Sequence, residues 1–181
     1  MKRSGIQSYC LYDLYECLQR GISFLEERGI LEARISAELL LAQVIQKSRF
    51  ELIVGSNRWL GRDQQDKFFE LLARRAEGVP LQYVLGTVSF RGHELEVGEG
   101  CLIPRPETEI LVDVALKRLG REGESLHVLD LGTGSGNIAV SLALERPRWH
   151  VTATDRSPEA LEYARRNAQE NKIDQQISFF E

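Results

Sequence analysis

Val128-Leu129-Asp130-Leu131-Gly132-Thr133-Gly134-Ser135-Gly136 decides the fold of this chain. Its first four residues read as a buried strand, its glycines as a tight turn, and Asn137 onward as the helix that the turn opens. A strand–turn–helix unit of this kind presents backbone N–H groups and bare backbone to a small ligand. Three glycines in five residues need a reason, since each adds about 0.5–1 kcal/mol of backbone entropy cost relative to alanine. A tight turn alone needs one or two of them.

Downstream, the pattern alternates strand with helix. Leu126–Leu131 reads as strand one, Asn137–Glu145 as a helix and Trp149–Thr154 as strand two. Ser157 as N-cap and Pro158 at the first helical position open a second helix that runs to about Asn171. Ile177–Phe180 is strand three. This alternation predicts a parallel sheet. With strand order 3-2-1, strand one would carry a long apolar unpaired edge. A doubly wound cofactor fold has about five to seven strands, so the sequence reads as the front part of a longer protein.

The acid before the first glycine selects among ligands. Gly134–Ala139 fits the dinucleotide pattern G-x-G-x-x-G/A, a weak match. The longer string D-x-G-x-G-x-G, from Asp130 to Gly136, is more specific. A pyrophosphate would be repelled by the Asp130 carboxylate, whereas S-adenosylmethionine carries a sulfonium and an ammonium and no phosphate. A charge pair about 4 Å apart at an effective dielectric of about 20 is worth roughly 4 kcal/mol before desolvation, so its sign separates the ligands. Asp155 follows 19 residues after Gly136, at the end of strand two. Ser157 and Pro158 already start the next helix, which leaves Asp155 to accept the ribose hydroxyls of an adenosyl ligand. Arg156 keeps a 2′-phosphate, and hence NADP, open as an alternative.

Upstream, Thr87–Arg91 and Glu94–Val97 alternate with period two around a Gly92-His93 turn, which predicts a hairpin. Gly98 and Gly100 end it. Leu102–Pro106 leads into a helix carrying Ile110, Leu111, Val114 and Leu119. Residues 1–78 read as a bundle of four or five short helices. Leu11, Leu14, Tyr15 and Leu18 mark the first, which Gly21 interrupts, and Ile22, Leu25 and Glu26 mark a short second piece. Ser36–Val44 is a further amphipathic run, and Asp63 caps a helix that Gly78 and Pro80 stop. Turns fall at Gly55-Ser56-Asn57 and Gly61. The expected organisation is a helical domain over 1–78, a β-hairpin linker over 79–104 and an α/β domain over 105–181.

Bulk properties exclude several classes. The 181 residues are 43% apolar and 28% charged, with net charge −4. Residues 1–77 hold 12 basic and 11 acidic side chains, and residues 78–181 hold 11 and 16, so charge alone predicts no nucleic-acid surface. No apolar run is long enough to span a membrane, and no apolar segment follows Lys2 and Arg3, so a cytoplasmic location is expected. Three cysteines make no disulfide framework, and Cys10 and Cys17, seven apart, read as core residues on one helix face. His93, His127 and His150 have no ligand partners nearby, so no metal is expected. Trp59 and Trp149 read as packing residues, and Arg74-Arg75 as the polar end of a helix.

Taken together, Leu-Asp-Leu-Gly-Thr-Gly-Ser-Gly (129–136), Ala-Thr-Asp (153–155), Ser-Pro-Glu-Ala-Leu (157–161) and Ala-Arg-Arg-Asn-Ala (164–168) resemble a class I methyltransferase. Gly-Val-Pro-Leu-Gln-Tyr-Val-Leu-Gly (78–86) and Leu-Ile-Pro-Arg-Pro-Glu-Thr-Glu (102–109) narrow the resemblance to the HemK/PrmC family of peptide-chain release factor N5-glutamine methyltransferases. It runs from about residue 20 to the last residue, Glu181.

The resemblance implies a helical substrate-recognition bundle, a hairpin linker and the first half of a Rossmann-like methyltransferase domain. It implies methyl transfer from S-adenosylmethionine to the glutamine amide nitrogen of a release factor's Gly-Gly-Gln motif, with release factors as protein partners. By position, Gly132, Thr133, Gly134, Ser135 and Gly136 line the methionine end of the cofactor above Asp130, Asp155 holds the ribose, and Pro104, Arg105, Pro106, Glu107, Thr108 and Glu109 border the pocket. The family's acceptor motif, Asn-Pro-Pro-Tyr, does not occur in residues 1–181 and is expected beyond Glu181. The residue expected over the adenine lies beyond Glu181 too. No catalytic residue is therefore assigned here, and residues 1–181 alone are expected to be inactive and to bind the donor weakly or not at all. Alternatives are a glutamine of a ribosomal protein or an RNA or DNA amine as acceptor, and, from another class, a non-catalytic helical binding module.

Overall fold

The computed structural model describes residues 12–55, 59–120 and 123–181. The chain forms two compact units, one ending at Leu85 and one beginning at Gly86.

The first unit contains β1 (Tyr12–Asp13), α1 (Leu14–Glu26), α2 (Ala33–Val44), α3 (Arg49–Val54), β2 (Trp59–Leu60), α4 (Arg62–Ala76) and α5 (Leu81–Leu85). Asp13 caps α1 by accepting the Glu16 N–H at 2.9 Å. Leu14, Leu18, Ile22 and Leu25 then recur on one face and meet Leu40 and Leu41 of α2 and Phe68, Leu71 and Leu72 of α4. Ser48 and Glu51 form a reciprocal capping box on α3. β1 and β2 pair antiparallel, Tyr12 opposite Leu60. Gln43 donates to the Leu85 carbonyl at 2.8 Å and ties α5 to α2.

Two expectations here are corrected. Gly21 does not interrupt the first helix: α1 runs through it, and a Cβ at Gly21 would sit 2.7 Å from Phe68 Cζ. The glycine is there because α4 crosses at that point, and local sequence cannot separate that reason from a break. Asp63 is not the cap of α4 either. Gly61 occupies that position, with the Gln64 side chain accepting the Gly61 N–H at 3.1 Å. Cys17 is buried in this core, while Cys10, Leu11 and the Ser56-Asn57 turn lie outside the described residues.

The second unit begins with the hairpin β3 (Thr87–Phe90) and β4 (His93–Glu96), followed by α6 (Pro106–Arg118), β5 (His127–Leu131), α7 (Asn137–Glu145), β6 (His150–Thr154), α8 (Pro158–Glu170) and β7 (Ile177–Phe180). Phe90 pairs with His93, so the hairpin turn is Arg91-Gly92, one residue earlier than the expected Gly92-His93. Both turn residues have positive φ, 50° and 78°, the backbone of a two-residue type I′ turn. Arginine tolerates this because its N–H donates to Glu109 Oε1 at 2.9 Å and its guanidinium pairs with Asp113 and Glu145.

β5, β6 and β7 form one parallel sheet in that order, with Asp130 opposite Ala153 and Ala153 opposite Phe179. This is the order 3-2-1 read from the sequence. α7 packs on β6, and α8 on β4 and β7. The core joins Phe90 and Leu95 of the hairpin to Val112, Val140, Leu142, Trp149, Val151 and Ile177. Leu129 and Leu131 of β5 stand 58% and 75% exposed, and Ile110, Leu111 and Val114 of α6 are also exposed.

Candidate functional site

β5 delivers the chain to a turn that β6 holds in place. The N–H groups of Gly132 and Thr133 both donate to the Thr154 carbonyl at 2.8 Å. The Gly134 N–H donates to Asp155 Oδ2 at 2.9 Å, and the Gly136 N–H to the Thr133 carbonyl at 2.9 Å. The sequence suggested N–H groups facing a ligand. Four of the turn's five are instead satisfied within the protein, and what the turn offers is bare backbone.

The three glycines have two different reasons. Gly132 and Gly134 lie at φ 74° and 56°, and a Cβ on either would meet nothing within 4 Å. They form an open ledge at the carboxyl end of β5, the position where ligands bind in open α/β sheets. Gly136, at φ 79°, is a packing glycine: its Cβ would come 3.1 Å from the Ala164 Cβ on α8.

Asp130 lies buried under the ledge. The Thr133 hydroxyl donates to its Oδ2 at 2.7 Å. Burial pushes its carboxyl above the ordinary value, opposed by hydrogen bonds from Thr133 and the Ala139 backbone and aided by the nearby Asp155 charge. Asp130 thus ties the turn to the start of α7.

Asp155 was expected to be free for a ligand. Instead, Oδ1 accepts the Ser157 N–H at 3.0 Å and Oδ2 accepts the Gly134 N–H. Each carboxylate oxygen keeps a second lone pair, so two hydroxyls can still be accepted. Ser157 is the N-cap of α8 as read, its hydroxyl accepting the Ala160 N–H at 3.1 Å, with Pro158 at the first helical position.

Pro106 opens α6 at its first position with Arg105 as N-cap. Arg105, Pro106 and Glu107 are exposed, while Pro104, Thr108 and Glu109 are half-buried. Glu109 is committed to the hairpin turn through the Arg91 N–H. The segment leading to Pro104 passes the ledge: the buried Cys101 thiol, pushed up by burial, lies beside Ser135 and Asp155. Glu181, the residue beyond which the acceptor motif is expected, directly follows β7, is exposed and belongs to no helix or strand. It marks a position in the chain and is not itself a site residue: the ledge is built from the turn after β5 and the end of β6.

One residue of this neighbourhood entered the sequence reading only within the string 164–168, with no task of its own. Asn167, on the apolar face of α8 between Ala164 and Ala168, is fully buried and bonds to both Glu96 and Ser135. The available signal was a polar side chain on a buried stripe. His127 and His150 stack with ring centroids 5.5 Å apart at the opposite end of the strands from the ledge. No group of three ligands able to hold a metal ion occurs among the described residues. Trp149 is buried as read, whereas Trp59 is exposed.

A parallel three-stranded sheet with an open glycine turn at the carboxyl end of its first strand is the architecture of a Rossmann-like domain. Sequence comparison agrees: residues 122–181 match a methyltransferase domain family, and residues 16–86 match the PrmC N-terminal domain. The chain is similar to curated release factor glutamine methyltransferases along most of its own length. It is 41% identical to the release factor glutamine methyltransferase of Chlorobaculum tepidum over 94% of this chain and 60% of that protein. For the Pseudomonas aeruginosa relative the identity is 47% over 76% of this chain and 49% of the relative. For that of Coxiella burnetii it is 44% over 77% and 50%. The chain thus spans about half to three-fifths of the length of these relatives. Among solved structures, a SAM-dependent methyltransferase from Geobacter sulfurreducens in complex with S-adenosyl-L-homocysteine is 28% identical, with a TM-score of 0.35, over 42% of this chain and 28% of that one.

Proposed function

We propose that residues 1–181 supply the donor half and the recognition helices of an S-adenosylmethionine-dependent enzyme. It methylates the glutamine side-chain amide nitrogen in the Gly-Gly-Gln motif of peptide chain release factors, in the cytoplasm. The observation that carries this reading is the ledge itself: two positive-φ glycines with open space where side chains would stand, above one carboxylate and bonded to another. The residues fit the donor's chemistry. Its sulfonium and ammonium meet carboxylates rather than a phosphate cradle, and when bound it supplies an electrophilic methyl group.

Gly132 and Gly134 leave room for the donor, Asp155 accepts its ribose hydroxyls, and the charge of Asp130 favours a cation above it. Residues 104–109 border the pocket. No helix among the described residues is long and apolar enough to cross a membrane. An amide nitrogen is a poor nucleophile and needs its N–H groups held so that its lone pair faces the methyl group. Asn-Pro-Pro-Tyr, which does this in the family, is not among residues 1–181. We therefore expect no turnover from these residues alone.

The test joins residues 1–181, through Glu181, to the C-terminal part of the Chlorobaculum tepidum relative and supplies methyl-labelled S-adenosylmethionine and a release factor. Label on the Gly-Gly-Gln glutamine is expected from the joined protein and not from residues 1–181. Donor binding with label only on RNA or a ribosomal protein would overturn the acceptor. A folded protein that ignores the sulfonium donor and binds a pyrophosphate nucleotide would overturn the whole reading.

A further inference from the structure

The segment after the hairpin lies against α8. Glu96 is bonded to Asn167, Gly98 lies directly against the Tyr163 hydroxyl, and a Cβ on Gly100 would come 3.1 Å from the Glu159 Cβ. The chain turns over residues 98–101, where the Cys101 N–H donates to the Gly98 carbonyl at 3.1 Å and Gly100 lies at φ 86°. Residues 96, 98 and 100 thus meet positions 167, 163 and 159 in turn, so the segment runs antiparallel to the helix. A Cβ on Gly98 or Gly100 would press on α8, Val97 and Cys101 are buried, and Glu99 between them is exposed. The strap ends at the start of α8, where the Gly100 carbonyl lies 3.5 Å from Ser157 Oγ and Cys101 lies beside Asp155 and Ser135.

The top of the strap is fixed by one side chain. Asn167 Oδ1 accepts the Glu96 N–H at 2.6 Å, and Asn167 Nδ2 donates to the Glu96 carbonyl at 3.0 Å, so the carboxamide pairs with Glu96 as a neighbouring strand would. The same Nδ2 donates to the Ser135 carbonyl at 2.9 Å, inside the glycine turn. One turn of α8 earlier, Ala164 packs against Gly136. The strap and the ledge are thus registered to α8 through the same amide. An Arg166–Glu96 ion pair at 3.1 Å reinforces the strap but does not reach the turn.

We propose that Asn167 is a positioning residue that locks the ledge (132–136) and the strap (96–101) into one register. It thereby sets the distance between the donor backbone and the segment leading to Pro104–Glu109. The relevance to the donor rests on the functional reading above; the mechanical coupling does not. Aspartate is the informative replacement: it keeps the oxygen that accepts the Glu96 N–H, but loses both donated bonds and sets a carboxylate against two carbonyls.

The test is amide hydrogen exchange on the full chain, wild type against Asn167→Asp and Asn167→Ala, with Gly98→Ala as a variant that displaces only the strap. Exchange in Asn167→Asp is expected to quicken at least tenfold at Glu96 and Cys101 and at Gly132, Thr133 and Gly134, while Val151 and Thr152 in the sheet keep their protection. Gly98→Ala should quicken the strap and leave the turn unchanged. Protection lost evenly over sheet, strap and turn in Asn167→Asp would mean a general packing role and overturn the proposal. An unchanged turn in that variant would overturn it as well. If the alanine variant does not fold, the aspartate and Gly98 variants still decide. The readout needs no ligand, so a chain that ignores S-adenosylmethionine sinks the functional reading without touching the exchange result.

Discussion

Gly134 donates its backbone N–H to Oδ2 of Asp155 across the gap between two strand ends. This bond joins the turn after β5 to the turn after β6, and the other oxygen of the same carboxylate holds the Ser157 N–H. Asp155 is thus a structural clasp as well as the candidate ribose acceptor. Asp155→Ala leaves two backbone donors without their partner and should cost about 1–3 kcal/mol of stability, measured by urea unfolding. In the joined protein described above, donor affinity should also fall at least about tenfold by calorimetry. Asp155→Asn keeps one good acceptor and should lose less stability than the alanine variant. A loss of affinity with no loss of stability would mean that the clasp has no structural weight.

Asp130 gives a pH prediction of definite sign. Burial raises its carboxyl above the ordinary value of 3.8. In the window between that value and the raised one, the folded chain binds more protons than the unfolded chain. Its contribution to stability is therefore fully present below the unfolded value and is lost as pH rises through the folded value. Asp130→Asn cannot ionise and should escape this loss. The stability of the variant relative to wild type should rise as pH climbs from about 4 and level off once the native carboxyl has ionised. Urea midpoints taken across that range measure it, and a difference that falls with pH would show that Asp130 is stabilised as a carboxylate.

At the α1–α4 crossing, the fully buried Phe68 sits where a Gly21 side chain would stand. Gly21→Ala gains about 1 kcal/mol of helix propensity, but places a methyl group 2.7 Å from the ring. Overpacking costs typically about 1–3 kcal/mol, so the net effect should be a destabilisation of up to about 2 kcal/mol. Phe68→Leu in the same background makes room and should return part of it. If Gly21→Ala is stabilising, the close crossing is not what holds the glycine there.

The pieces that the sequence made legible are those whose cause is local. A β-branched and leucine run before glycines, a serine followed by proline, and period-two alternation around a turn are decided within a few residues, and β5, α7 and α8 fall where those signals put them, with the hairpin one residue off. Gly21 misleads because a helix-crossing glycine and a helix-breaking glycine look alike until α4 arrives. The hairpin turn is displaced by one residue because Arg91 takes a positive φ only with Glu109, 18 positions away, accepting its N–H. Asp130 and Asp155 are visible in the sequence as acids at the ends of two strands, but not their task of holding backbone. The bridge from Asn167 to Glu96 spans 71 positions and leaves no trace in local composition beyond a polar residue on an apolar stripe.

β5 ends the described sheet, with β6 on one side and Leu129 and Leu131 exposed, as are Ile110, Leu111 and Val114 of α6 in the same unit. An edge strand with apolar side chains and unpaired backbone groups is a template for pairing with a second chain. Burying one leucine side chain is worth about 1.5–3 kcal/mol, enough to drive association when two copies each contribute two. Residues 1–181 in isolation should therefore self-associate with rising concentration in sedimentation velocity. Leu129→Lys with Leu131→Lys should return them to monomer, because a charged edge cannot be desolvated against its own copy. The thermal midpoint should change little, since both side chains are already in water and exposed substitutions usually fall within about 0.5 kcal/mol. A wild-type chain that stays monomeric at every concentration, or a double variant that unfolds, would show that these leucines are covered from within the chain.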